Sequence, residues 1–152
     1  MKRLSLVVVA PARQRAICRG AVSASPAIGI TGESGRLTDA LDLVTRHQPA
    51  VVVLGSGPGR MPLALVIAAL RHRSPGTRVI LLTAGMPPAA GALEAARRGA
   101  HGCLDETAVY AFLAKAVVAV ARGEAWLPRR IAPDLVRHLI DAERAPARGG
   151  AR

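Results

Sequence analysis

The chain has 152 residues, about one domain, with 51% hydrophobic and 20% charged residues, a composition that buries a core without disulfide or metal staples. Basic residues outnumber acidic ones 21 to 10, giving a formal net charge of +11, while aromatics make up 2%, too few for the base-stacking platforms of single-strand nucleic-acid binders. No apolar run approaches the ~18 residues of a membrane span, and two cysteines, Cys18 and Cys103, read as reduced thiols of a cytoplasmic protein.

In chain order, five short apolar or β-branched runs alternate with stretches of helix length. Residues 4–10 form the first run, and the basic pair Lys2-Arg3 before it with Ala10-Pro11-Ala12 after it imitates a signal peptide. A buried first strand fits those residues better, because the apolar stretch is at the short limit for an export signal. A helix is expected over 12–24, a strand over 27–31, and a helix over 36–47 with Leu37, Leu41 and Val44 on one face. The runs 50–54 and 78–82 are continuously apolar, as central parallel strands covered on both faces should be. A helix over 62–73 separates them. Further helices are expected over 87–98 and 107–122, with the fifth strand over 101–104 between them. Such alternation predicts a doubly wound α/β fold, a (βα)5 unit around a five-stranded parallel sheet with right-handed crossovers.

Composition changes after Gly123. We expect one domain over 1–123, then a linker and amphipathic helix over 124–143 with Leu135, Leu139 and Ile140 apolar, then a disordered tail over 144–152.

Several stretches carry a resemblance. Pro49-Ala-Val-Val-Val-Leu54 is similar to the third strand of bacterial response-regulator receiver domains, which have a flavodoxin-like fold. Arg78-Val-Ile-Leu-Leu-Thr83-Ala84 is similar to their fourth strand with its switch threonine. Gly99-Ala100-His101-Gly102-Cys103-Leu104 matches the G-A-x-G-[aromatic]-L pattern of the fifth strand, with Cys103 at the aromatic. Gly123-Glu124-Ala125-Trp126-Leu127-Pro128 resembles the linker after the last receiver helix in the NarL/FixJ-like subgroup. The likeness covers about residues 3 to 140. It implies a regulatory role in transcription, and a helix-turn-helix domain after the linker in a longer form of the protein.

The chemistry of that family requires a phosphoacceptor aspartate, two acids that bind Mg²⁺ with it, and a lysine. Phosphoryl transfer rests on positioning and cation stabilisation, and Mg²⁺ demands oxygen ligands. Here the family's metal-binding acids fall on Val8 and Val9, its phosphoacceptor on Gly55 and its lysine on Glu106. Only Thr83 survives, with Cys103 at the other switch position. Residues 1–32 and 43–93 contain no Asp or Glu, so no shift of register restores the set. Glycine has no nucleophile and valine no metal ligand. The expected module is therefore independent of phosphorylation, is not an enzyme, and takes no metal or cofactor.

Other residues weigh less. Gly55-Ser56-Gly57-Pro58-Gly59-Arg60 follows a strand, yet matches neither a dinucleotide fingerprint nor a P-loop, and Ser56 sits in no nucleophile elbow. His47, His72, His101 and His138 are isolated along the chain, as solvated or capping histidines are. The charge excess, nineteen arginines and two lysines in scattered pairs, predicts only weak, non-specific nucleic-acid binding.

Association is the expected mode of action. On a helical wheel Val109, Phe112, Leu113, Ala116, Val117 and Val120 of the last helix face the sheet. Ala111, Ala114, Val118 and Ala121 lie opposite, with Lys115 and Arg122 as the polar residues there. An all-round apolar helix needs a cover, so this face predicts a homodimer or a partner regulatory protein, with cover by the chain's own helix over 131–143 as the intramolecular alternative. The alternative is a small-molecule sensor whose ligand enters a crevice lined by Val8, Val9, Ala10, Gly55, Thr83 and Ala84.

Overall fold

The computed structural model describes residues 3–55, 63–84, 97, 99–127, 137, 140 and 141. Its strands are β1 (Leu4–Val9), β2 (Ile28–Ser34), β3 (Val51–Gly55), β4 (Arg78–Thr83) and β5 (Gly102–Asp105), paired in parallel in the order β2-β1-β3-β4-β5. The helices are α1 (Ala12–Val22), α2 (Ala40–His47), α3 (Leu63–Arg73) and α4 (Val109–Ala121), with 3₁₀ turns over Leu37–Asp39 and Glu106–Ala108 leading into α2 and α4. Of the expected helices over 87–98 and 131–143 only Arg97, Arg137, Ile140 and Asp141 are described, each in helical conformation; the rest of them, the tail over 144–152, His138 and the loop residues Ser56–Arg60 lie outside the described residues.

Alternation along the strands explains the layering. Leu6, Val8, Val51, Val53, Ile80, Leu82 and Leu104 point to the side covered by α1 and α4, where they meet Cys18, Leu113 and Val117. Val7, Val9, Val52, Leu54, Val79, Leu81 and Cys103 point to the other side, against Val44, Ile67 and Leu70. Both faces are thus dry, which is why the central strands read as unbroken apolar runs. Each fully buried Leu, Ile or Val contributes roughly 1.5–3 kcal/mol.

Two departures from the sequence reading have local causes. β2 runs to Ser34, three residues beyond the expected end, because an irregularity between Leu6 and Val7 lets Gly32 pair with Val7 and keeps Glu33 and Ser34 in register with Val8 and Val9. The residues after α4 also join the sheet. Trp126 donates its N–H to the His101 carbonyl at 3.0 Å and accepts from the Cys103 N–H at 2.9 Å, a parallel bridge on the outer edge of β5. The linker therefore begins as cover for an open strand edge, which would otherwise be a template for unwanted pairing. Gly102 makes this docking possible: a Cβ there would stand 3.3 Å from Trp126 Cβ, Val120 Cγ2 and Ile80 Cγ1. Among the described residues, no helix is long and apolar enough to cross a membrane.

Candidate functional site

In an open parallel α/β sheet, the carboxyl ends of the strands form the functional rim. The pairings Val9↔Leu54, Gly55↔Leu82 and Thr83↔Asp105 bring Val9, Gly55, Thr83 and Asp105 to that rim. Val8 and Val9 are buried in opposite layers, and Ala10 is buried beside them. Neither valine side chain has an oxygen to offer a cation.

Gly55 faces a side chain that the sequence reading did not single out. Gln14, in the first turn of α1, is only 5% exposed. Its Oε1 lies 2.2 Å, and Ala10 Cβ 2.6 Å, from where a Cβ on residue 55 would stand. The space of a side chain at position 55 is therefore filled by a glutamine amide and a methyl group. Gln14 Oε1 accepts no hydrogen bond, a cost of roughly 1–3 kcal/mol for a buried acceptor. Its position three residues after Pro11 was visible; that it folds inward against a glycine was not.

The other half of the rim is polar. Asp105 Oδ2 accepts from the Thr107 N–H at 3.0 Å and the Thr107 hydroxyl at 2.5 Å, and so caps the turn that starts α4. Those bonds, the hydroxyl's first, hold its carboxyl below the ordinary aspartate range. An Asp two residues before a Thr at a strand-to-helix junction is a capping signal present in the sequence. The buried Thr83 hydroxyl stands 3.5 Å from Asp105 Oδ1, a loose contact. Burial pushes the Cys103 thiol up to about 11, against a lowering by Thr83, and pushes Cys18 up to about 12, so neither is a reactive thiolate at neutral pH.

Glu106 is drawn to Arg13. Arg13 Nε and Glu106 Oε1 are 3.0 Å apart, with Arg13 exposed and Glu106 mostly covered; the pair lacks hydrogen-bond alignment. With one member in water it contributes less than about 1 kcal/mol. Relative to the family pattern the polarity is reversed, an acid on the β5 side meeting a base on α1. Mg²⁺ does not fit this rim: two of the three ligand positions are buried valines, the third is a glycine under Gln14, and the nearby acids already hold Thr107 and Arg13. Among the described residues no group of three or more His, Cys, Asp and Glu stands together to hold a metal.

The proposed association face divides in two. Ala111, Lys115 and Arg122 are exposed, whereas Ala114, Val118 and Ala121 are half-buried against the core on the side shared with α1. Phe112, expected to pack on the sheet, is instead 43% exposed. Trp126, returning along β5, draws it outward, with the ring centroids 6.2 Å apart. Tyr110, 66% exposed, covers Gly20 of α1, where a Cβ would stand 3.0 Å from its ring. His47 is partly buried and His72 exposed, but His101 is not merely a solvated side chain. Its Nδ1 accepts the Val79 N–H at 3.1 Å.

No family model matches the chain. It is 34% identical over 116 residues to the probable transcriptional regulatory protein NarL of Mycobacterium tuberculosis, in two strains, covering 76% of this chain and 51% of that protein. The chain thus spans about half the length of the curated relatives it matches. Its fold superposes on the signal receiver domain of the response regulator NarL from the same species with TM-score 0.72 and 30% identity, covering 82% of this chain and all of that one. A LuxR-family two-component response regulator from Aurantimonas gives TM-score 0.76 at 20% identity, covering 91% of this chain and 99% of that one, a likeness of fold.

Proposed function

The chain belongs to the receiver domains of NarL/LuxR-type response regulators, and from that premise we propose that it is a pseudo-receiver: a regulatory module that works by association and not by phosphorylation. The observation that carries this reading is the contact of Gln14 with Gly55. Where the family keeps a carboxylate open to a phosphodonor, this chain has a glycine whose side-chain space is occupied. Val8 and Val9 remove the metal ligands, and Glu106 would repel an incoming phosphoryl group.

Phosphodonor chemistry tests it. Acetyl phosphate or beryllofluoride with Mg²⁺ should leave the mass and oligomeric state of the protein unchanged. A stable, Mg²⁺-dependent adduct overturns the reading. Support for the sensor alternative is limited to the buried, unbonded Gln14 Oε1, which a ligand with an N–H donor would satisfy; a thermal-shift screen against metabolites separates the two modes.

Association runs through the outer side of α4, and its partner is a second copy. The exposed strip from Tyr110 and Ala111 to Lys115 continues into half-buried Ala114 and Val118, and small residues allow like helices to approach closely across a two-fold axis. Val118→Glu places a charge in that seam. Sedimentation should show a wild-type dimer at micromolar concentration and a monomeric variant; a monomeric wild type, or a variant that still dimerises, refutes the interface. In a longer protein such a module would set the spacing of DNA-binding domains attached beyond residue 127. It acts in the cytoplasm and, as an isolated module, holds nucleic acid at most weakly and without sequence preference.

A further inference from the structure

The opposite end of the sheet carries a feature that this reading does not use. Parallel strands and their crossover helices place strand beginnings and helix ends on one side. There, Arg71 comes from the last turn of α3, Arg78 opens β4, His101 immediately precedes β5, and Arg122 caps α4. Two glycines show how close these groups come. Gly99, at φ +97°, has Arg71 Nη1 3.0 Å from where its Cβ would be, a backbone conformation and an approach that side chains rarely tolerate. Gly123, in the turn after Arg122, lies 4.0 Å on the same measure from Arg78 Nη2. Among the described residues no side chain of the three arginines makes an ion pair or hydrogen bond, and Glu124, the nearest acid in sequence, is exposed and pairs with none of them.

Cations complement the negative ends of helix dipoles, which accounts for a basic residue closing α3 or α4. It does not account for Arg71 and Arg78 both standing near His101, with Arg122 at the same end of the sheet, and no carboxylate paired to any of the three among the described residues. Arg71 lies in the layer on one face of the sheet, Arg122 in the layer on the other, and Arg78 in the sheet between them. With layers about 10 Å apart, the row spans roughly 20 Å. One small anion cannot touch all of it, but a chain of repeated charges can. His101 adds a donor. Because Nδ1 accepts the Val79 N–H, the neutral ring carries its proton on Nε2, and burial followed by Arg78 and Arg71 keeps that ring neutral.

We propose that this end of the molecule, built on Arg71, Arg78 and Arg122 with His101 near the first two, is a docking surface for the phosphodiester backbone of nucleic acid. Guanidinium forks match phosphate oxygens bidentately, and the surface reads charge spacing and not bases. It gives the weak, non-specific binding expected from the composition a definite place, on the far side of the sheet from the Gln14–Gly55 contact.

Titrating the protein with a short duplex of mixed sequence at several salt concentrations tests this. Three neutralised phosphates give a slope of log affinity against log salt near −3. Arg71→Glu and Arg122→Glu, both at exposed positions, should each lower affinity several-fold and flatten that slope by about one. Arg36→Glu makes the same change in net charge at the other end of the sheet and should leave both near wild type. Duplex binding should also raise the pKa of His101, followed by its ring proton shifts. Equal weakening by all three variants assigns the binding to the overall field and overturns the site, as does an unmoved His101. Polyglutamate competing as well as the duplex overturns the choice of partner.

Discussion

The two halves of the carboxyl-terminal rim show different ways of losing a reactive site. At β1 and β3 the charged groups have been replaced by packing. Val8, Val9 and Ala10 are buried, and Gln14 closes over Gly55. At β4 and β5 the polar groups remain, but they are taken up by neighbours within the protein: Asp105 caps α4, Thr83 reaches towards Asp105, and Glu106 faces Arg13. Carboxylates kept for chemistry repel each other and must be tolerated by the fold; a rim freed of that requirement can use the same positions for stability. The first half should therefore resist restoration of an acid, while the second should behave as an ordinary capping network.

The largest effect is expected from Gly55→Asp. Its Cβ meets Gln14 Oε1 at 2.2 Å and Ala10 Cα at 3.1 Å, and its carboxylate enters a site that already holds an unbonded acceptor. Overpacking and an uncompensated charge together should cost about 3 kcal/mol, measured as a lower urea midpoint. Adding Gln14→Ala should recover at least ~0.5 kcal/mol of that loss, since residues in contact couple. Additive losses would show that the two side chains do not compete for the same space. A smaller effect should follow from Asp105→Ala, a loss of about 1 kcal/mol as the α4 turn loses its cap. Because the folded carboxyl titrates below its ordinary range, this contribution is present above the unfolded pKa and fades as acid protonates Asp105. A loss unchanged at low pH would mean that packing, and not the charged cap, is what the alanine removes.

Much of this was legible in the sequence, for identifiable reasons. Val51-Val52-Val53-Leu54 and Val79-Ile80-Leu81-Leu82 announce central parallel strands because both of their faces are dry. The missing acids were plain because no register shift restores them. What fills the gap was not, since Gln14 is polar and helical and nothing in a one-dimensional pattern folds it inward onto a glycine 41 positions away. Phe112 was misplaced for a similar reason: the wheel assumes that only the sheet competes for an aromatic ring, whereas Trp126 returns along the β5 edge and offers another. His101 looked isolated because its partner is a backbone N–H on the neighbouring strand, 22 residues away.

That histidine supplies the smallest expected effect, and it concerns the end of the sheet away from the rim. His101 Nδ1 serves as the acceptor for the Val79 N–H at 3.1 Å, while the His101 backbone N–H donates to the Val79 carbonyl at 2.8 Å. The side chain thereby extends the β4–β5 ladder by one bond, and only in the neutral form, because a protonated Nδ1 has no lone pair to offer. Burial, then Arg78 and Arg71, lowers its pKa from 6.5 in the folded state. The unfolded chain consequently binds the proton more readily, so stability from this group is complete above the unfolded value and declines as pH falls through 6.5 towards the lower folded one. His101→Asn keeps an acceptor that does not titrate. Comparing urea midpoints between about pH 8 and about pH 5, the wild type should lose more stability than the variant over that interval. Parallel pH profiles would show that the ladder bond survives protonation, and that the arginines beside it are already neutralised.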